Sequence, residues 1–184
     1  MMGKKKWMAG LALMALLLGL LTGCGGGSKV DVSIFALPAN GIPQEVTDKL
    51  EEELTAKFGE EPTIAVTGSP IFDYNKEMVE IAAGGHLIYI FGEDRFRMWA
   101  AQGSITNLDD IFDPEQYADG IVEAEVGGDR ENPVMEKHLY GIRLTDSKLL
   151  KDAGFAGEEI YGFLVSRADD MSQAIAVLKA LAEE

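Results

Sequence analysis

Strand-like and helix-like stretches alternate along this chain every 25–30 residues or so (about the length of one strand–helix unit), a rhythm that few folds accept. Val30-Asp31-Val32-Ser33-Ile34-Phe35-Ala36 alternates as a strand does, with Val30, Val32 and Ile34 on one face. Leu37 to Pro43 holds Pro38, Gly41 and Pro43 and reads as a loop. Val46, Leu50, Leu54 and Phe58 then recur at every fourth position, which predicts a helix from Gln44 to Phe58 capped by Gly59. Thr63-Ile64-Ala65-Val66-Thr67 is a second strand, closed by Gly68-Ser69-Pro70. The next helix spans Tyr74 to Ala83, presents Met78, Ile81 and Ala82, and stops at Gly84-Gly85. Leu87-Ile88-Tyr89-Ile90-Phe91 is apolar throughout, as a strand buried on both faces of a parallel sheet must be. Gly92-Glu93-Asp94 leads into a helix carrying Phe96, Trp99 and Ala100, stopped by Gly103. Helical crossovers are what parallel neighbours need, so the expected fold is α/β, a mostly parallel sheet flanked by helices.

The rest of the chain has a weaker pattern. Asn107 to Pro133 is acidic, with Leu108, Ile111, Phe112 and Tyr117 as scattered anchors, and predicts short helical turns and a mobile loop around Gly127–Pro133. Leu139-Tyr140-Gly141-Ile142-Arg143-Leu144 and Ile160-Tyr161-Gly162-Phe163-Leu164-Val165 read as strands. A last amphipathic helix runs from Met171 to Ala182 with Ile175, Leu178 and Leu181 inward. No internal boundary divides residues 30–184, which read as one domain.

The N-terminus reads differently. Lys4-Lys5-Lys6 precedes an apolar run from Trp7 to Leu20, and Leu21-Thr22-Gly23 precede Cys24, the only cysteine in the chain. A basic stretch, a short apolar stretch and small residues are the parts of an export signal, and the run is shorter than a membrane span. Leu21-Thr22-Gly23-Cys24 resembles the lipobox of bacterial lipoproteins, which implies acylation of Cys24 and removal of residues 1–23. Residues 24–29, with Gly25-Gly26-Gly27-Ser28, would then be a lipidated, flexible tether. The expected place is the extracytoplasmic face of a cell membrane, held by lipid.

Of 16 Lys and Arg residues, three lie in that signal, leaving 13 against 31 Asp and Glu and a formal charge of −18. Nucleic acid and anionic lipid surfaces are poor partners for such a body. Solubility explains the charge, and a preference for cationic ligands is the sharper alternative. With Cys24 acylated no disulfide is possible, so the fold rests on packing.

Several stretches resemble the solute-binding lipoproteins of bacterial ABC importers. They are Glu93-Asp94-Arg95-Phe96-Arg97-Met98-Trp99-Ala100-Ala101-Gln102-Gly103, then Leu108-Asp109-Asp110-Ile111-Phe112-Asp113, with Met78–Gly85 and Leu139-Tyr140-Gly141-Ile142 as further matches. The resemblance is clearest from Val30 to Asp113. It implies a lobe like those of periplasmic binding proteins, a small polar solute such as a carbohydrate as ligand, and a transporter permease or sensor as partner. Members of that family are two-lobed and much longer, and their lobes close around the ligand. This chain would be a single lobe with an open half-site. The alternatives are an envelope interaction module that binds no small ligand, or a degenerate, truncated copy.

Ligands of open parallel sheets sit beyond the carboxyl ends of the strands. The candidate ligand-binding residues there are Asn40, Ser69, Phe72, Glu93 and Asp94, with Tyr74 as a second stacking face. Helix capping is the competing role for Ser69, Asp73 and Asp94. Trp99 reads as core, and Tyr140 as a strand residue under the last helix. His86 and His138 are the only histidines and form no zinc-spaced cluster, while Asp109, Asp110, Asp113 and Glu115 lack the order of a calcium loop and read as a solvated turn. Gly68-Ser69-Pro70 is not a nucleophile elbow, and no phosphate loop or dinucleotide fingerprint occurs. The expectation is a binding protein rather than an enzyme, without cofactor or metal.

Overall fold

A computed structural model of the chain describes residues 30–129, 131–165 and 171–183. The signal-like segment, Cys24 and the tether lie outside the described residues. From the N-terminal side the elements are β1 (Val32–Leu37), α1 (Gln44–Phe58), β2 (Ile64–Gly68), α2 (Tyr74–Ala83), β3 (Ile88–Gly92) and α3 (Glu93–Ala101). A 3-10 turn (Ala118–Gly120) leads into β4 (Ile121–Gly128) and β5 (Pro133–Leu139). Then follow β6 (Ile142–Arg143), α4 (Lys148–Asp152), β7 (Ile160–Leu164) and α5 (Ser172–Leu181).

The main sheet has strand order β2-β1-β3-β7-β6. β1 is parallel to both β2 and β3, as the helical crossovers require. β7 runs antiparallel to β3, and β6 antiparallel to β7, so the sheet is mixed rather than mostly parallel. β6 and β7 are joined through α4, a helix of only five residues, about 7.5 Å long.

Alternate residues of each strand supply two separate cores. Val32, Ile34, Ala36, Ile88, Ile90 and Leu164 face α1, α4 and α5 through Leu50, Leu54, Leu150, Val177, Leu178 and Leu181. Phe35, Tyr89, Phe91, Tyr161 and Phe163 face α2 and α3 through Ile81, Phe96, Trp99 and Ala100. The second core is aromatic: Phe96 stacks on Tyr161 at 4.7 Å between ring centres, and Tyr89 on Phe163 at 5.8 Å. All five residues of β3 are buried, as its continuous apolar run predicts.

Five expectations need correction. In α2 the inward residues are Glu77 and Ile81, whereas Met78 is exposed and Ala82 faces outward; α2 lies beside α3 and offers it a carboxylate. In α5 Ile175 is only partly buried, and Ala174 and Val177 take the inner positions. The strand expected over Leu139–Leu144 is broken, because β5 ends at Leu139 and β6 begins at Ile142. A Cβ on Gly141 would stand 2.5 Å from the Phe96 ring, and one on Gly120 would stand 1.7 Å from the Gly141 carbonyl oxygen. The chain therefore crosses over α3 at this point instead of continuing a ladder. Tyr140 is buried in the aromatic core, on the face opposite α5. Finally, the segment read as a loop around Gly127–Pro133 is the outer end of a β4–β5 hairpin, paired from Ile121↔Leu139 to Gly128↔Pro133.

Candidate functional site

From β1 the chain moves outward to β2 and then returns across β1 to β3, so the order reverses between β1 and β3. That is the position where doubly wound sheets bind ligands. The ends of β1, β2 and β3 meet there with the start of β7, since Gly92 is paired with Ile160 across the ladder. They surround an open cleft of about 320 Å³ lined by Ala39, Phe72, Gly92, Glu93, Asp94, Arg95 and Glu159.

Each side chain has a local reason to be there. Asp73 caps α2, its Oδ1 accepting from the Lys76 N–H at 2.9 Å, which sets Phe72 at the rim as a half-buried ring. Gly92 is the N-cap of α3, so Glu93 and Asp94 occupy its first turn, where carboxylates are favoured. Glu93 Oε1 accepts from Arg97 Nε at 2.7 Å, an i,i+4 pair on α3 that raises the Arg97 pKa. Glu159 Oε1 accepts from Arg143 Nε at 2.8 Å, and that guanidinium holds the Glu159 carboxyl below its usual range. The Asp94 side chain has neither a hydrogen bond nor an ion pair with another described residue.

Beneath the cleft lies the most demanding electrostatic feature of the fold. Glu77 is completely buried, and Arg95 clamps it with Nε to Oε2 at 2.8 Å and Nη2 to Oε1 at 2.7 Å. The Trp99 Nε1–H donates to the same Oε1 at 2.6 Å. Tyr74 covers the guanidinium, with Arg95 Cζ 5.1 Å from the ring centre, and the Glu77 hydrogen bonds raise the Arg95 pKa. Burial of a charge is tolerable only with this degree of pairing. The clamp fixes the side of α3 that lines the cleft.

The structure thus brings Phe72, Glu93 and Asp94 together. Asn40 lines a neighbouring cleft of about 250 Å³ with Gly41, Phe155 and Glu158, and its Nδ2 donates to Glu158 Oε2 at 2.9 Å. Ser69 lines neither cleft and caps no helix; its hydroxyl donates to the Ile71 carbonyl at 2.7 Å. Asp94 is also not the cap of its helix, since Gly92 holds that position. Tyr74 is engaged over Arg95 rather than offered as a free face. Sequence reasoning missed Glu159 and Arg95. Glu159 enters the cleft only because β7 is antiparallel, and no local pattern gives a strand its direction. Glu77 did leave a signal, a carboxylate one turn ahead of Ile81 on the inward stripe of α2.

The acidic turn also has more structure than a solvated loop. Asp109 Oδ1 accepts from the Leu139 N–H at 2.7 Å, and its Oδ2 lies 2.6 Å from His138 Nδ1. No group of side chains able to hold a metal ion occurs among the described residues, and no described helix is long and apolar enough to cross a membrane. Comparison of the chain with protein-family models, with curated proteins and with solved structures finds no match in any of the three.

Proposed function

We propose that this protein is a lipid-anchored module of the extracytoplasmic membrane face, acylated at Cys24, that binds a small polar solute in the cleft between the ends of β1 and β3. It has the plan of one lobe of a periplasmic binding protein and would hand its solute to, or report it to, a membrane partner such as a transporter permease. The reading is of a binding protein and not of an enzyme. The observation that carries it is the convergence of Phe72, Glu93 and Asp94 on one open cleft at the strand-order reversal. An aromatic ring beside carboxylates suits a carbohydrate, with the ring under a sugar face and the carboxylates accepting from its hydroxyls. The clamp under Arg95 supports the same reading, because it holds the cleft wall rigid before any ligand arrives.

A thermal-shift screen of the full chain in zwitterionic detergent tests the proposal, using neutral sugars, amino acids and polyamines. A ligand at 100 times its Kd adds about 2.7 kcal/mol to stability and moves the midpoint by several degrees. Asp94→Asn is expected to abolish the shift without lowering the midpoint of the free protein, and Phe72→Ala to abolish it with some loss of midpoint, since the ring also packs against the aromatic core. A cooperative transition that no compound moves overturns the solute-binding reading. The anchor is tested separately: labelled palmitate should enter the wild-type chain in a bacterial host and not the Cys24→Ala variant.

A further inference from the structure

The β4–β5 hairpin is built unlike the rest of the molecule. Its base is fastened: Ala124 and Leu139 are fully buried, and a Cβ on Gly103, just after α3, would stand 2.6 Å from the Glu125 carbonyl oxygen. Beyond Glu125 there is a bulge, and the described residues from 125 to 137 are all exposed. The outer part carries large apolar side chains that stay exposed: Val126, Val134 and Met135 are 44%, 47% and 45% exposed. Among the described residues no third strand pairs with either side, and the hairpin is a two-stranded sheet of its own. Two strands alone are marginal in water, and an unpaired edge is a template for another strand. Yet the turn is well made, with Asp129 Oδ1 accepting from the Glu131 and Asn132 N–H groups, both at 2.9 Å. Among the described residues the β5 edge of the arm is therefore left without a strand partner from Val134 to Lys137.

We infer that this arm is a docking element for a cationic extended segment of a partner protein, which adds to the β5 edge as a third strand. Charge selects the occupant. The arm's own acids, Glu123, Glu125, Asp129, Glu131 and Glu136, outnumber Arg130 and Lys137, on a chain of formal charge −15. A second copy of the arm would place these carboxylates against their own kind. A strand alternating Lys or Arg with Val or Ile gains backbone hydrogen bonds along β5; since consecutive side chains point to opposite faces, its apolar residues cover Met135 on one face and its cations lie beside Val134 and Glu136 on the other. Strand addition needs no change in the cleft, so this inference stands or falls separately from solute binding.

The probe is a ten-residue peptide alternating Lys and Val, titrated into the full chain in zwitterionic detergent and followed by amide hydrogen exchange. The expected result is saturable binding with new protection over residues 134–137, weakened at least tenfold by Val134→Lys together with Met135→Lys. A Glu–Val peptide should not bind. The same Lys–Val peptide with alternate backbone amides N-methylated keeps its charge but cannot pair, and should also fail. Equal binding of the N-methylated peptide, or protection outside the arm, would mean general attraction to an acidic surface and overturns the inference. So would absence of binding, or a dimer of the free protein that Met135→Lys dissociates.

Discussion

The β1–α3 region and the β4–β5 arm meet only at the base of the arm, and they are held together by opposite means. In the first, strands are covered on both faces, and two apolar cores do the holding. In the second, only the base is covered, and polar groups do much of the fastening: Asp109 takes the Leu139 N–H, and His138 bridges Asp109 and Glu136 at 2.6 and 2.9 Å. The contrast teaches where each region is vulnerable. The sheet region should fail when volume or a buried partner is removed, and the arm when its joint or its ionisation changes.

The largest effect expected of a single substitution follows from the Glu77 clamp. Glu77→Ala leaves the Arg95 guanidinium and the buried Trp99 N–H without their acceptor, a loss of about 3–5 kcal/mol. Urea unfolding measures it, and a loss under 1 kcal/mol would show that the sheet region tolerates an orphaned ion as the exposed arm could. Next comes the joint. Gly120→Ala drives a methyl group into the Gly141 carbonyl, for an overpacking cost of about 1–3 kcal/mol. Exchange protection should fall over 121–139 and persist in β1 and β3. Equal loss in both would mean that the arm and the sheet unfold as one unit.

A smaller effect is pH-dependent. Hydrogen bonds to Asp109, then to Glu136, raise the His138 pKa above 6.5. Its stabilising contribution is therefore complete below pH 6.5 and lost as pH rises through the higher folded value. For Asp109 burial works against ionisation, but the Leu139 N–H and His138 outweigh it and the pKa falls below 3.8. That contribution is complete above pH 3.8 and lost as pH falls through the lower folded value. Protection of the Leu139 amide, corrected for intrinsic exchange, should peak between these limits, and His138→Gln should flatten the alkaline side. The smallest effect is expected at the tip: Val134→Lys exchanges one exposed side chain for another and should change stability by no more than about 0.5 kcal/mol. A larger loss would show that the arm's apolar residues are covered in the free protein.

The same contrast governs what could be read from residues alone. The strands and helices from Val32 to Ala101 were legible because two-sided burial writes itself as apolar runs and fourfold spacing. The boundaries of α1 and α2 agree with those read from the pattern. The arm was illegible because an exposed hairpin needs no apolar alternation, and Glu123, Glu125 and Glu136 stand where a buried strand would carry Val or Ile. Phe72, Glu93 and Asp94 could be nominated as strand-end residues, since strand ends follow from strands. Ser69 satisfied the same rule, yet its hydroxyl turns to its own loop, a choice made by local geometry.

The amino-acid sequence by itself determined the alternation of strands and helices, the doubly buried β3, the caps of the first helices and the acidic surface. These depend on neighbours within one or two turns of chain. Tertiary structure alone decided that β7 runs antiparallel, that Glu159 joins the cleft, that Glu77 meets Arg95 and Trp99, and that Gly141 yields to Phe96. Each of these joins residues 16 or more positions apart, and such pairs are selected by the packing of whole elements, for which no short stretch of sequence carries a period.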